Sequence, residues 1–298
     1  MTLFSALRAA GLHTAGIKKS KAGDDEAAIA SYRQALALDP NQSETLYNLG
    51  LIFKYRGAWR ESLDCNSRAD ALQPGDEATL WNLAIAATAL REWQAARGAW
   101  RRLGITIPAG EGPIEDHRGS VPVRLNADHR TDAPVEVVWS DALCPVRSRI
   151  INIPTSDTRY RYGDVVLHDG AAVGYRMNAG KEVPVFNVLE LFEPSRFSTF
   201  EASVEVDGPE DIEVLDQACD QVAVAFEDWT ASIRNLCSEG RPHEGHDHEL
   251  KQSDSWERMR RVGFAAQDEA SITAVLKAWQ DRRRRVADFR CTLDARLS

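Results

Sequence analysis

The chain has 298 residues, enough for two or three domains of ordinary size. With 43% hydrophobic and 27% charged residues it has the composition of a folded globular chain, and its net charge of −9 argues against general nucleic-acid binding, which needs a basic footprint. The first 110 residues hold 13 basic and 11 acidic side chains, a balance of +2 that leaves −11 for the remainder, so two regions with different surfaces are expected. No apolar run reaches the length of a membrane span. Arg8 interrupts the apolar residues of the N-terminus, so no signal peptide is read there. The five cysteines are scattered and odd in number, which suits reduced thiols in a cytoplasm.

The first third repeats itself. "ETLYNLGLIFKYRGAWRESLDCNSRADALQP" (44–74) lies over "ATLWNLAIAATALREWQAARGAWRRLGITIP" (78–108) at an offset of 34 residues. Leu46 matches Leu80, Asn48 matches Asn82, Gly50 matches Ala84, Trp59 matches Trp93 and Pro74 matches Pro108. One period earlier, Leu12, Gly16, Ala28, Tyr32, Ala35 and Pro40 fall on the same frame. This pattern resembles the tetratricopeptide repeat family, with repeats at about 9–42, 43–76 and 77–110. Small residues at Gly16, Gly50 and Ala84, and at Ala28, Ser62 and Ala96, let two helices of a hairpin approach closely. The prolines are expected to end each second helix, because proline lacks the amide and clashes with the preceding turn. Each hairpin then has an apolar face that only a neighbour can bury. "ITIPAGEGPIEDHRG" follows where a capping helix would stand and reads as a linker, so the downstream β-region or a second copy is expected to cover the last hairpin.

The resemblance implies a groove lined by the first helix of each repeat, with a protein or peptide partner lying along it. By that resemblance the groove residues are Tyr47, Asn48, Leu51, Lys54 and Tyr55 in the second repeat, beside Glu44, and Trp81, Asn82 and Ile85 in the third, beside Ala78 and Thr88. Tyr47 and Trp81 would be aromatic anchors of the kind that dominate binding energy. Asn48 and Asn82 read equally well as residues that hold the helix pair together. The first repeat offers His13, Thr14 and Ile17 instead, and the lysine and asparagine clamp of the chaperone-binding subfamily is incomplete, so chaperone binding is not expected.

From Val121 to Pro194 short alternating segments are punctuated by Gly, Pro, Asp and Asn, a pattern of strands and turns typical of a small barrel or sandwich. "HDGAAVGYR" reads as a hairpin turning at Asp169-Gly170. His168 between Asp164 and Asp169 could be an acid/base pair, but a polar hairpin end is the favoured reading, since no positioned nucleophile accompanies it. No phosphate loop and no nucleophile elbow occur.

The last third reads β-α-β, linker, β-α-β, the split ferredoxin-like arrangement. "FSTFEASVEVD", "VAVAFEDWT", "RMRRVGFAAQD" and "RVADFRCTLD" are strand-like, and "GPEDIEVLDQACDQ" and "EASITAVLKAWQD" are amphipathic helices. The linker contains "CSEGRPHEGHDHE". Cys237, His243, His246 and His248 would give one sulfur and three nitrogens, a set that suits zinc. A solvated polar loop fits the same residues, and neither C-x-x-C nor H-E-x-x-H is present. "RRRR" at 282–285 follows a helix, where cations complement the macrodipole.

Together these readings predict a multidomain α and α+β chain. Residues 1–110 form tetratricopeptide hairpins, 111–120 a linker, 121–198 a β-rich barrel or sandwich, and 199–298 a ferredoxin-like domain whose Cys/His linker spans 236–252. The expected function is a non-enzymatic cytoplasmic scaffold binding a protein or peptide. Two alternatives stand beside it: a zinc protein with a structural or hydrolytic site in the linker, and RNA binding by strand aromatics Phe200, Phe226, Phe264 and Phe289.

Overall fold

The structure is a computed structural model and describes residues 3–127, 132–178, 180–231 and 256–295. The chain divides into two compact units, Met1–Asp116 and His117–Ser298.

The first unit is six helices paired as three hairpins: α1 (Leu3–Lys21) with α2 (Asp25–Leu38), α3 (Ser43–Tyr55) with α4 (Trp59–Leu72), and α5 (Glu77–Ala89) with α6 (Trp93–Arg102). The close approach expected of the small residues is present. A Cβ on Gly16 would lie 2.4 Å from the Tyr32 ring, and one on Gly50 would lie 2.6 Å from Nδ2 of Asn66. Ala84 and Trp100 are both fully buried at the matching positions. Each first helix ends in the same way. After α1 the amides of Gly23 and Asp24 donate back to Ser20 and Lys19, after α3 those of Gly57 and Ala58 donate to Lys54 and Phe53, and after α5 those of Arg91 and Glu92 donate to Thr88 and Ala87. These are Schellman closures, which need a left-handed residue at the turn. Gly23 and Gly57 supply it at φ 80° and 70°, and Arg91 adopts φ 60° in the third copy, where a side chain bears the steric cost.

The second helices depart from expectation at one place. α2 and α4 stop just before Pro40 and Pro74, but α6 stops at Arg102, well short of Pro108. Gly104, at φ 76°, ends it with a Schellman closure, in which the Gly104 and Ile105 amides donate to Arg101 and Trp100. The freed segment folds back along α6. Arg97, almost fully buried, donates to the carbonyls of Pro108, Gly112 and Pro113, and Gln94 donates to that of Gly110.

Among its described residues the second unit holds two sheets. β1 (Ser120–Leu125), β2 (Glu136–Cys144), β3 (Arg147–Ile150), β4 (Val165–Asn178) and β5 (Lys181–Glu193) pair in that order and close on themselves, with β1 parallel to β5 and every other pair antiparallel. Val123, Leu125, Val138, Ile150, Val166 and Val188 fill the interior. Asp169-Gly170 is not a turn: β4 runs through it, and shifts of register there show a bulge that absorbs the extra residues. β4 ends at Asn178, which pairs with Lys181, the first residue of β5.

The second sheet contains β6 (Ser198–Glu205), β7 (Ala225–Asp228), β8 (Met259–Ala266) and β9 (Arg285–Leu293), all antiparallel in the order β7-β8-β6-β9. α7 (Pro209–Asp220) follows β6, with its proline in the first turn where no amide is missed, and α8 (Glu269–Trp279) follows β8. Leu215, Ile272, Leu276 and Trp279 of these helices bury Phe200, Val204, Val262 and Phe264 of the sheet. A polar seam joins the two sheets. Glu227 of β7 accepts from the Ile153 amide at 2.8 Å and from Asn152 Nδ2 at 3.2 Å, and the Trp229 indole donates to the Ile153 carbonyl at 2.9 Å. Trp229 lies over Gly263, where an added Cβ would come within 2.3 Å of its ring.

Candidate functional site: the first-helix face of the repeats

The residues proposed for the groove fall into two groups. Tyr47, Asn48 and Leu51 of α3 and Trp81 of α5 are half-buried, and Tyr55 is exposed. Lys54, Asn82 and Ile85 are buried, as is Thr88. The two aromatic residues differ. Trp81 packs edge-on against the buried Trp100, with ring centroids 4.9 Å apart, so much of its area serves the hairpin. Tyr47 lines a cleft of about 210 Å³ with Ser43, Glu44, Gln73, Asp76, Ala78 and Thr79. The Lys54 ammonium lies 4.3 Å from the centre of the Tyr55 ring, an intrahelical cation–π contact.

A second cleft, of about 340 Å³, continues past Ser43 and Glu44 toward the first repeat and is lined by Ala10, His13, Asp39 and Gln42 among others. Here Thr45 donates to Gln42 at 2.6 Å and accepts from Nδ1 of His13 at 2.8 Å, which leaves Nε2 of that ring 3.7 Å from Glu44. His13, carried in as the first repeat's counterpart of Tyr47, therefore ties α1 to α3. Asp39 and Gln42 were not singled out from the sequence. They belong to the connection between repeats, whose conformation the repeat pattern does not specify.

The other sequence candidates are not brought together into a site. Cys237, His243, His246 and His248 lie outside the described residues. Among the described residues no group of three or more His, Cys, Asp or Glu side chains is placed to hold a metal ion. His168 is 2% exposed inside the closed sheet and stacks on Phe186 with ring centroids 5.2 Å apart. Its Nδ1–H donates to the Asp169 carbonyl at 2.9 Å, and Nε2 has no hydrogen-bond partner among the described residues. Burial pushes its pKa down to about 4. Asp164 accepts instead from the amides of Arg161 and Ser195, so the acid/base pair does not form.

The aromatic residues offered for RNA stacking point the other way. Phe200 and Phe264 are buried in the core beneath α7 and α8, and Phe226 and Phe289 pack against the same core. They are unavailable as a stacking platform, because the alternation of each strand turns them toward the helices. Within the arginine run, Arg284 pairs with Asp281 at 2.7 Å and Arg285 lies 3.7 Å from Glu205. Among the described residues no helix is long and apolar enough to cross a membrane.

Comparison with known proteins bears on the helical region. Residues 21–57 match the family model described as TPR repeat. Among solved structures, the chain is similar to the second TPR of Spaghetti bound to the HSP90 peptide SRMEEVD, at 18% identity and TM-score 0.32 over 33% of this chain and 85% of that one. It is also similar to the first TPR of Spaghetti bound to the same peptide, at 20% identity and TM-score 0.31 over 33% and 78%. A mutant O-GlcNAc transferase of Thermobaculum terrenum aligns at 24% identity and TM-score 0.31 over 34% of this chain and 20% of that one. No curated protein matches the chain. Within the helical unit, residues 21–57 carry the match to the TPR repeat family.

Proposed function

We propose that this protein is a non-enzymatic scaffold that holds an extended peptide or protein segment along the first helices of its repeats. The observation that supports this most directly is the run of half-exposed side chains Tyr47, Asn48 and Leu51 on α3, of which Tyr47 lines an open cleft, on a framework of close-packed hairpins. A rigid array offering one aromatic and one amide along a groove suits backbone binding with side-chain anchoring. Lys54, Asn82 and Ile85 would act by supporting that surface, since they are buried. The strand order β7-β8-β6-β9, with α7 and α8 on one face, supports a ferredoxin-like reading of the second sheet. The β1–β5 pairing supports a small barrel for the first.

The test is affinity capture with the full chain and with a Tyr47→Ala, Asn48→Ala variant. Neither residue fills the hairpin core, so the variant should melt with the wild type. Loss of captured partners is the expected result. Retention of every partner by a folded variant would remove binding from this face.

A further inference from the structure

β4 and β5 are the longest strands among the described residues, yet only their bases belong to the closed sheet. β3 pairs with β4 from Val165 to Leu167, and β1 pairs with β5 at Phe186 and Asn187. Beyond those points residues 174–178 pair only with 181–185, as a two-stranded ribbon. Such a ribbon is marginal in water without a further strand or packing surface. The bulges between His168 and Gly174 bend β4 where the ribbon leaves the sheet. Three large apolar side chains stand exposed along it: Val173 at 39%, Tyr175 at 61% and Met177 at 62%.

The ladder fixes which way the backbone points. Tyr175 is opposite Pro184. Proline has no N–H to give, so this pair is of the kind whose polar groups turn away from one another. Pairs alternate in kind, so Met177↔Glu182 is the same, and Arg176↔Val183 between them exchanges the ladder bonds. The N–H and C=O groups of Tyr175 and Met177 therefore face the outer edge of β4, where no strand among the described residues pairs with them. The outer edge of β5 lacks a donor at Pro184, whereas that of β4 keeps all of its own.

We infer that the outer edge of β4 is a self-association surface, which pairs antiparallel with β4 of a second copy about a two-fold axis at Tyr175. That register places Tyr175 opposite the partner's Tyr175 and Met177 opposite the partner's Val173. Arg176, the single charge between Ala171 and Asn178, falls opposite the partner's Gly174. Ring meets ring, apolar meets apolar, and arginine faces a residue with no side chain. Cross-strand pairs of the first two kinds stabilise a sheet, and like charges directly opposite would not. This match of the segment to itself selects a second copy over an unrelated strand. The product is a four-stranded sheet in the order β5-β4-β4-β5, made by the isologous contact most common among oligomers.

Sedimentation of the full chain across a concentration series tests this, with Tyr175→Lys and Tyr175→Glu variants beside the wild type. The side chain is mostly exposed, so both variants should keep the wild-type circular dichroism and melting profile. The wild type should form dimers as concentration rises. Each variant alone puts like charges opposite each other and should associate at least about tenfold more weakly. An equimolar mixture of the two should recover the dimer, because the new ammonium then faces the new carboxylate. A wild type that stays monomeric, dimers indifferent to either substitution, or a mixture no tighter than its components would each overturn the assignment. A monomeric wild type that binds a strand of another protein would overturn it as well.

Discussion

The helical unit and the β unit are held together over different distances. In the repeats, polar contacts stay local or reach about one repeat onward: Asp24 and Asp76 cap α2 and α5 within three residues, Arg56 meets Glu26 and Arg102 meets Asp70. Equivalent positions do equivalent work, so a change in one hairpin is felt by its neighbours. In the β unit, single side chains bind segments far apart. Trp229 reaches Ile153, Glu227 reaches Asn152, and nearly buried Glu201 joins Arg261 of β8 to Arg290 of β9. The difference teaches that the β unit should fail at individual residues, and the repeats by increments.

The sharpest challenge to that contrast is Trp229→Ala. It empties the slot over Gly263 and breaks the bond to Ile153, and it should destabilise the protein by about 3–5 kcal/mol in denaturant titration. A loss below about 1 kcal/mol would show that the seam is not central.

Next in size is an effect of pH at His168. The folded chain holds this ring neutral down to about pH 4, whereas an unfolded chain binds the proton near its ordinary value of 6.5. The unfolded state therefore carries more protons in that interval, and stability falls as pH falls from about 6.5 to 4, by on the order of 3 kcal/mol. His168→Phe keeps the stack on Phe186 and should flatten the pH profile of unfolding in that window. An unchanged profile would place the pH sensitivity elsewhere.

Two glycine substitutions probe the repeats. Gly50→Ala forces a methyl against Asn66 between α3 and α4 and should cost about 1–3 kcal/mol, read as a lower melting temperature. Gly98→Ala, on the exposed face of α6 with nothing within 4 Å, should gain roughly 0.5–1 kcal/mol from helix propensity alone. If both changes had the same sign, the close approach at Gly50 would not be limiting.

Sequence patterns were informative where structure depends on neighbours in the chain. Gly16, Gly50 and Ala84 mark helix contacts that form within one hairpin, so a period of 34 residues carried them. The strands and helices of the second sheet were legible for a similar reason, since alternation and the 3.6-residue period are local. Asp169-Gly170 was misleading, because a turn dipeptide and a bulge within a strand share the same residues and only the partner strand distinguishes them. Pro108 misled in the same way: Gly104 already offered an end for α6. Tyr47 and Trp81 matched in the repeat frame, yet Trp100 draws one of them into the hairpin.

By itself the sequence determined the repeat, its small-residue contacts, and the β-α-β, β-α-β order of the last third. These follow from short-range periodicity, from sterics at Cβ and from backbone caps, all of which are written in residues close together in the chain. Only the tertiary structure decided that β4 runs on with β5 into a two-stranded ribbon, that His168 is enclosed, that Phe200 and Phe264 turn toward α7 and α8, and that Glu227 and Trp229 join the two sheets. Each of those depends on which distant segment occupies the other side of a strand, and strand pairing across tens of residues leaves no period to read.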